Sequence, residues 1–245
     1  MIEASALKKR FGEVQAVHDV TLSARDGEIT GLLGPNGAGK STTLRIISTA
    51  IRADSGSVSV DGIDVAAQPR EARLAMGVMP HNAGLYPRLS GRENIRYFGE
   101  LNGLGGEPLD KAIQRLVERL EMEAFVDRPA KGYSQGQRLK TALARAMVHG
   151  PGNLILDEPT SGLDVMATRA LRELIRDLRR DGYCILFSSH VMQEVAALCD
   201  RIVIIAHGRV VARGRPDELL AELGTDNLEE AFVRAIARAD GEVPA

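Results

Sequence analysis

The 245-residue chain predicts an α/β fold, with a mainly parallel sheet, an antiparallel β segment and an inserted helical subdomain. Three observations carry that expectation. Apolar runs of strand length, NLILDEP, YCILFSSH and RIVIIAHG, alternate with helix-period patterns, as strands covered on both faces do. The apolar run ITGLLG enters a glycine-rich turn and then a helical pattern. Between Gly84 and Gly150 helical periodicity persists with no convincing strand.

Taken in chain order, ITGLLG at 29–34 is the first strand, and a helix follows from Lys40 to about Thr49. SGSVSVDGIDV sets alternating Val58 and Val60 between turn signals and reads as β-structure. KAIQRLVERLEMEA places Ile113, Leu116, Val117 and Leu120 on one helical face. YSQGQRLKTALARA reads as a helix start: Ser134 caps, Gln137 stands at the capping-box position, and Leu139, Ala142, Leu143, Ala146 and Met147 form the apolar stripe. NLILDEP is a buried strand, followed by a helix with Leu171, Leu174, Ile175 and Leu178 on one face. YCILFSSH, VMQEVAALCD and RIVIIAHG continue as strand, helix and strand. The tail after Arg215 reads as polar helix. The organisation expected is one domain over 1–245: a core of 1–83 and 151–215, a helical subdomain at 84–150, and a helical tail at 216–245. No internal repeat occurs.

Composition narrows the function. Hydrophobic residues make up 44%, charged residues 26%, and the net charge is −2, with no basic block. Nucleic acid is therefore not expected as a partner. Two cysteines, Cys184 and Cys199, fit a reduced cytosolic setting. MIEASALKKRFG has no apolar signal-peptide core, and no run of 18 apolar residues occurs, so a membrane role is expected to come through a partner.

Gly34, Pro35, Asn36, Gly37, Ala38, Gly39, Lys40 and Ser41, continued by Thr42, fit the phosphate-loop pattern between a strand and a helix. The glycines turn backbone N–H groups inward around phosphate oxygens, Lys40 supplies a point charge to the β and γ positions, and the Ser41 hydroxyl can bind Mg²⁺. A nucleoside triphosphate is the expected ligand. Asp157 ends a buried strand, where phosphate-loop proteins hold Mg²⁺. Glu158 comes next and can polarise an attacking water. His190 ends the neighbouring strand and is expected at the γ-phosphate. The glycine-bearing helix start Tyr133, Ser134, Gln135, Gly136 and Gln137 also suits an anion. His18, His149 and His207 read as residues of polar turns or helices.

GPNGAGKST, YSQGQ, LILDEPTSGLD and His190, in this order, resemble the ATP-binding-cassette ATPases over nearly the whole chain. The resemblance implies a RecA-like core and a composite ATP site. There the 133–137 helix start of one subunit reaches ATP bound by the partner's Lys40. It implies that Phe11 stacks on adenine and that Asp164, in SGLD, crosses the subunit interface. Two departures stand out. Tyr133 and Gln135 fill places usually held by Leu and Gly. His81, in VMPHNAGLYP, stands where the family usually has a glutamine that reaches Mg²⁺ and water. An imidazole keeps one hydrogen bond, but its charge changes near neutral pH, which predicts pH-sensitive catalysis.

The resemblance implies an ATP- and Mg²⁺-dependent ATPase subunit of an exporter, peripheral on the inner face of the cell membrane. Its partners would be an integral membrane transporter subunit and a second ATPase subunit, the latter in an ATP-bound homodimer. RIISTAIRADSGSVSVDG is similar to subunits that drive sodium efflux. The alternative is a soluble ATPase of the same fold acting on DNA or ribosomes. Such chains usually carry two cassettes or a long coiled-coil insertion, and this chain has neither.

Overall fold

In the computed structural model, which describes residues 1–81 and 84–240, an N-terminal hairpin precedes everything read as strand from the sequence. It is formed by β1 (Ile2–Phe11) and β2 (Val14–Ala24). There follow β3 (Ile29–Leu33), α1 (Lys40–Ile47), β4 (Ser55–Val60), β5 (Ile63–Asp64), α2 (Pro69–Leu74) and β6 (Met76–Met79). Next come α3 (Gly91–Leu101), α4 (Gly106–Arg119) and α5 (Gln135–Met147). The chain then alternates through β7 (Asn153–Asp157), α6 (Val165–Arg180), β8 (Cys184–Ser189), α7 (Met192–Leu198) and β9 (Arg201–Ala206). It closes with β10 (Arg209–Gly214), α8 (Pro216–Leu223) and α9 (Leu228–Asp240). Residues 82–83, at the end of the expected core segment 1–83, and 241–245, at the end of the expected tail, lie outside the described residues.

The strands run in the order β5-β4-β1-β2-β10-β9-β3-β8-β7-β6. β6, β7, β8, β3 and β9 are mutually parallel neighbours. β1 pairs antiparallel with β2 and β4, and β4 with β5. This is the mixed α/β sheet that the alternating runs predict. β3, β7 and β8 are buried at every residue, which explains why apolar residues dominate their centres. One core cluster joins α5, α6 and the helices α3 and α4 to one face of the sheet; the other lies beneath α1 and the N-terminal strands.

Several sequence readings are corrected. The first helix stops at Ile47, two residues short of Thr49, which takes a left-handed φ of 62°. The tail is not simply polar, because Leu219, Leu223, Ala231 and Ala235 are buried. His18 lies in β2 and not in a turn or helix.

Candidate nucleotide site at the strand ends

The parallel order fixes the site before any side chain is considered. β3 lies beside β8, and β8 beside β7, so the segments leaving their carboxyl ends are neighbours. A crevice at such ends is where open α/β sheets bind ligands. The segments concerned are 34–39, 158–164 and 190–191.

The loop after β3 is shaped by what surrounds it. A Cβ on Gly34 would lie 2.3 Å from the Ile205 carbonyl oxygen. Gly39 has φ 102°, and a Cβ there would lie 2.5 Å from the Ala16 carbonyl oxygen. Side chains are excluded by packing at both ends of the turn. Thr43 Oγ1 donates to Gly39 O at 2.9 Å and ties the first turn of α1 to the loop. Lys40 is 4% exposed, and its Nζ donates to Gly34 O at 2.7 Å and Pro35 O at 3.1 Å. Burial lowers its pKa from the ordinary lysine value, while the charges of Glu158 and Asp157 oppose that shift.

Asp157, the last residue of β7, accepts from Ser188 Oγ at 2.6 Å and from Ser41 Oγ at 3.3 Å on the same Oδ1. Glu158 then leaves the strand with a left-handed φ of 49°. Its N–H donates to Ser188 Oγ at 3.0 Å, so one serine hydroxyl holds both acids in place. The Glu158 carboxylate sits among three basic groups: His190 Nδ1 at 3.1 Å, His81 Nδ1 at 3.6 Å and Lys40 Nζ at 3.9 Å. The structure thus brings Lys40, Ser41, His81, Asp157, Glu158 and His190 together. A cavity of about 880 Å³ adjoins them, running from Asn36 and Ser41 past His81 and Glu158 to Phe98 and Arg145.

Other predicted residues differ in how near they come to this cluster. Phe11 is 49% exposed at the end of β1, not in the core, with Lys9 Nζ 5.5 Å from its ring centre. It shares its hairpin with Ala16, whose carbonyl faces Gly39. Ser134 Oγ accepts from Gln137 N–H at 3.3 Å, and Gln137 Oε1 accepts from Ser134 N–H at 3.1 Å, so the capping box forms. Gln135 lines a groove with His81 and Glu158, whereas Gly136 lines a separate groove against α6. The Tyr133 side chain is buried, its hydroxyl donating to Phe125 O at 2.8 Å and accepting from Gly91 N–H at 3.0 Å. That ring anchors the helical layer. Asp164 caps α6 by accepting from Ala167 N–H at 2.8 Å.

The family model for ABC transporters matches residues 17–161. The chain belongs to that family. Over 97% of its length it is 40% identical to the ABC transporter ATP-binding protein NatA of Bacillus subtilis (strain 168), of which it covers 99%. It is 38% identical to the daunorubicin resistance ATP-binding protein DrrA2 of Streptomyces coeruleorubidus, across 98% of this chain and 78% of that one. Among solved structures, an ATP-binding subunit of an ABC transporter superposes with a TM-score of 0.87 at 29% identity, covering 96% of this chain and 99% of the other. A dimeric ATP-binding cassette in a post-hydrolysis state, bound to ADP and Pi, matches with a TM-score of 0.78 at 26% identity, over 88% and 98% of the two chains. This ABC ATPase binds and hydrolyses ATP. Among its described residues no helix is long and apolar enough to cross a membrane.

Sequence reasoning missed Ser188, Thr160, Ser189 and Glu194. Ser188 and Ser189 were visible as the SS of YCILFSSH, but nothing in the string says that Ser188 bonds to Asp157, 31 positions away, or that Ser189 bonds to Glu194 in the next helix.

Proposed function

We propose that this ABC ATPase powers an exporter, that two copies close around two ATP molecules, and that hydrolysis reopens them. The observation that carries the reading is the convergence of Lys40, Asp157, Glu158 and His190 beside the glycine loop. Residues Gly34 to Thr42 cradle the phosphates, with Lys40 exchanging its carbonyl acceptors for β- and γ-oxygens. Phe11 stacks on adenine from the hairpin end.

The donor set fits Mg²⁺. Ser41 Oγ and Asp157 Oδ1 are hard oxygen ligands 3.3 Å apart. No group of three or more His, Cys, Asp or Glu side chains forms a metal cage among the described residues. Mg²⁺ at phosphates needs only one or two protein ligands, the rest being phosphate oxygens and water. Ser41 and Asp157 hold the ion, with His81 beside them, and the ion supplies charge neutralisation for the phosphoryl group. Glu158 orients the water and accepts its proton. His190, held at 3.1 Å from Glu158, contacts the γ-phosphate. The partner's 133–137 helix start closes over that phosphate, with Ser134 and Gly136 closest, and Asp164 lies at the interface.

Export is supported by the likeness, 36% identical over 94% of this chain, to the Nod factor export ATP-binding protein I of Ralstonia nicotianae (strain ATCC BAA-1114 / GMI1000); sodium as the exported ion rests on the segment RIISTAIRADSGSVSVDG. The partner is an integral membrane subunit, which places the chain at the inner face of the membrane. No observation favours the DNA- or ribosome-directed reading. Purifying the tagged full chain from detergent-solubilised membranes of its host tests the proposal. A polytopic membrane protein in stoichiometric amount is expected, and sodium efflux is then measured with that pair. Recovery of ribosomes or DNA-bound proteins alone contradicts the transporter reading.

A further inference from the structure

Glu194 is 8% exposed and belongs to α7, away from the phosphate loop, yet it ties together both segments that carry the reacting residues. Its Oε2 accepts from Thr160 Oγ1 at 2.5 Å and from Ser189 Oγ at 2.9 Å. Thr160 is two residues beyond Glu158 and four before Asp164, and Ser189 immediately precedes His190. Ser189 Oγ in turn accepts the Val191 N–H at 3.0 Å, which leaves its own hydrogen for Glu194. Both hydroxyls therefore donate to one carboxylate oxygen, an arrangement that an ionised acid satisfies. Below this bridge, Ser188 makes a second one, linking β8 to Asp157 and Glu158 N–H. Two stacked cross-links thus set the separation of the β7 and β8 exits, and with it the 3.1 Å contact between Glu158 and His190.

We infer that Glu194 is a positioning residue for ATP hydrolysis, holding Glu158 and His190 in register through Thr160 and Ser189. Lys40 and the glycine loop hang from β3 and have no bond to Glu194, so nucleotide binding does not depend on it. The chemical step does, because small misplacements of reacting groups cost large factors in rate. A residue that merely filled space would affect binding and turnover together, and Thr160→Val or Ser189→Ala, which leave Glu194 in place, would not slow turnover.

The test measures kcat and KM for ATP, and ADP affinity, in the full chain carrying Glu194→Ala, Glu194→Gln, Thr160→Val or Ser189→Ala. Glu194→Ala is expected to lower kcat about tenfold or more with ADP affinity unchanged. Glu194→Gln retains an acceptor oxygen for both hydroxyls and is expected within about threefold of the parent. Thr160→Val and Ser189→Ala each reproduce part of the loss, and neither adds to Glu194→Ala in the double variants. An unchanged kcat in Glu194→Ala, a Gln variant as slow as Ala, or equal losses in kcat and ADP affinity each overturn the inference. It rests on the roles given to Glu158 and His190, and Glu158→Gln, assayed alongside, separates the two failures. If Glu158→Gln stays active those roles are wrong; if it is inactive while Glu194→Ala is normal, the positioning role alone is wrong.

Discussion

Glu158 adopts a left-handed backbone, φ 49°, immediately after a fully buried strand, and so departs from the alternation that would send its side chain across the sheet. Non-glycine residues enter that region at a cost and persist there when surrounding bonds hold them. The Ser188 hydroxyl supplies one such bond at 3.0 Å. Two acids in succession at a strand end were legible as neighbours beside the glycine loop, but the serine that sets their relation was not, because its partners lie 30 and 31 residues away. His81 was legible as a departure from the family pattern, and its Nδ1 lies 3.6 Å from Glu158 Oε2. An imidazole and a carboxamide can each make a hydrogen bond to that carboxylate, so His81→Gln should keep kcat within about threefold of the parent. A loss as large as that of Glu158→Gln contradicts the prediction.

At the scale of elements, α5 was the most legible, because its start is written in adjacent residues and closes as the capping box they spell. Replacing Ser134 by Ala removes the acceptor for Gln137 N–H and should cost about 1 kcal/mol, read as a lower denaturation midpoint with unchanged slope. An unchanged midpoint contradicts that energetic role. Less could be read where strands are irregular. β1 slips register against β2 between Ala4 and Leu7, and again on either side of Lys9, which destroys a period-2 pattern. β10 slips between Val210 and Ala212. β6 is four residues long, and its Gly77 is kept bare by the Ala146 carbonyl oxygen, to which a Cβ would lie 2.3 Å away. Tyr133 shows the same limit within a motif. Its position was readable, but its burial against Phe125, with ring centres 5.1 Å apart, depends on α3 and the segment before α5.

At the scale of the molecule, the sheet order gathers the loops after β3, β7 and β8 at the carboxyl ends of the strands, and the 133–137 helix start closes its own capping box while Gln135 lines a groove beside them. One chain thus presents a phosphate cradle and a second anion-ready helix end, and on the proposed reading that end serves the ATP of a second copy. That composite site is the central claim. The measurement that tests it most directly is the mass in solution of Glu158→Gln with and without Mg²⁺-ATP, read alongside turnover. Loss of the base is expected to slow hydrolysis about 10²-fold or more. The variant should then be monomeric alone and dimeric with ATP, returning to monomer when Ser134 is also replaced by Arg. A variant that still turns over, or that stays monomeric with ATP bound, contradicts the account.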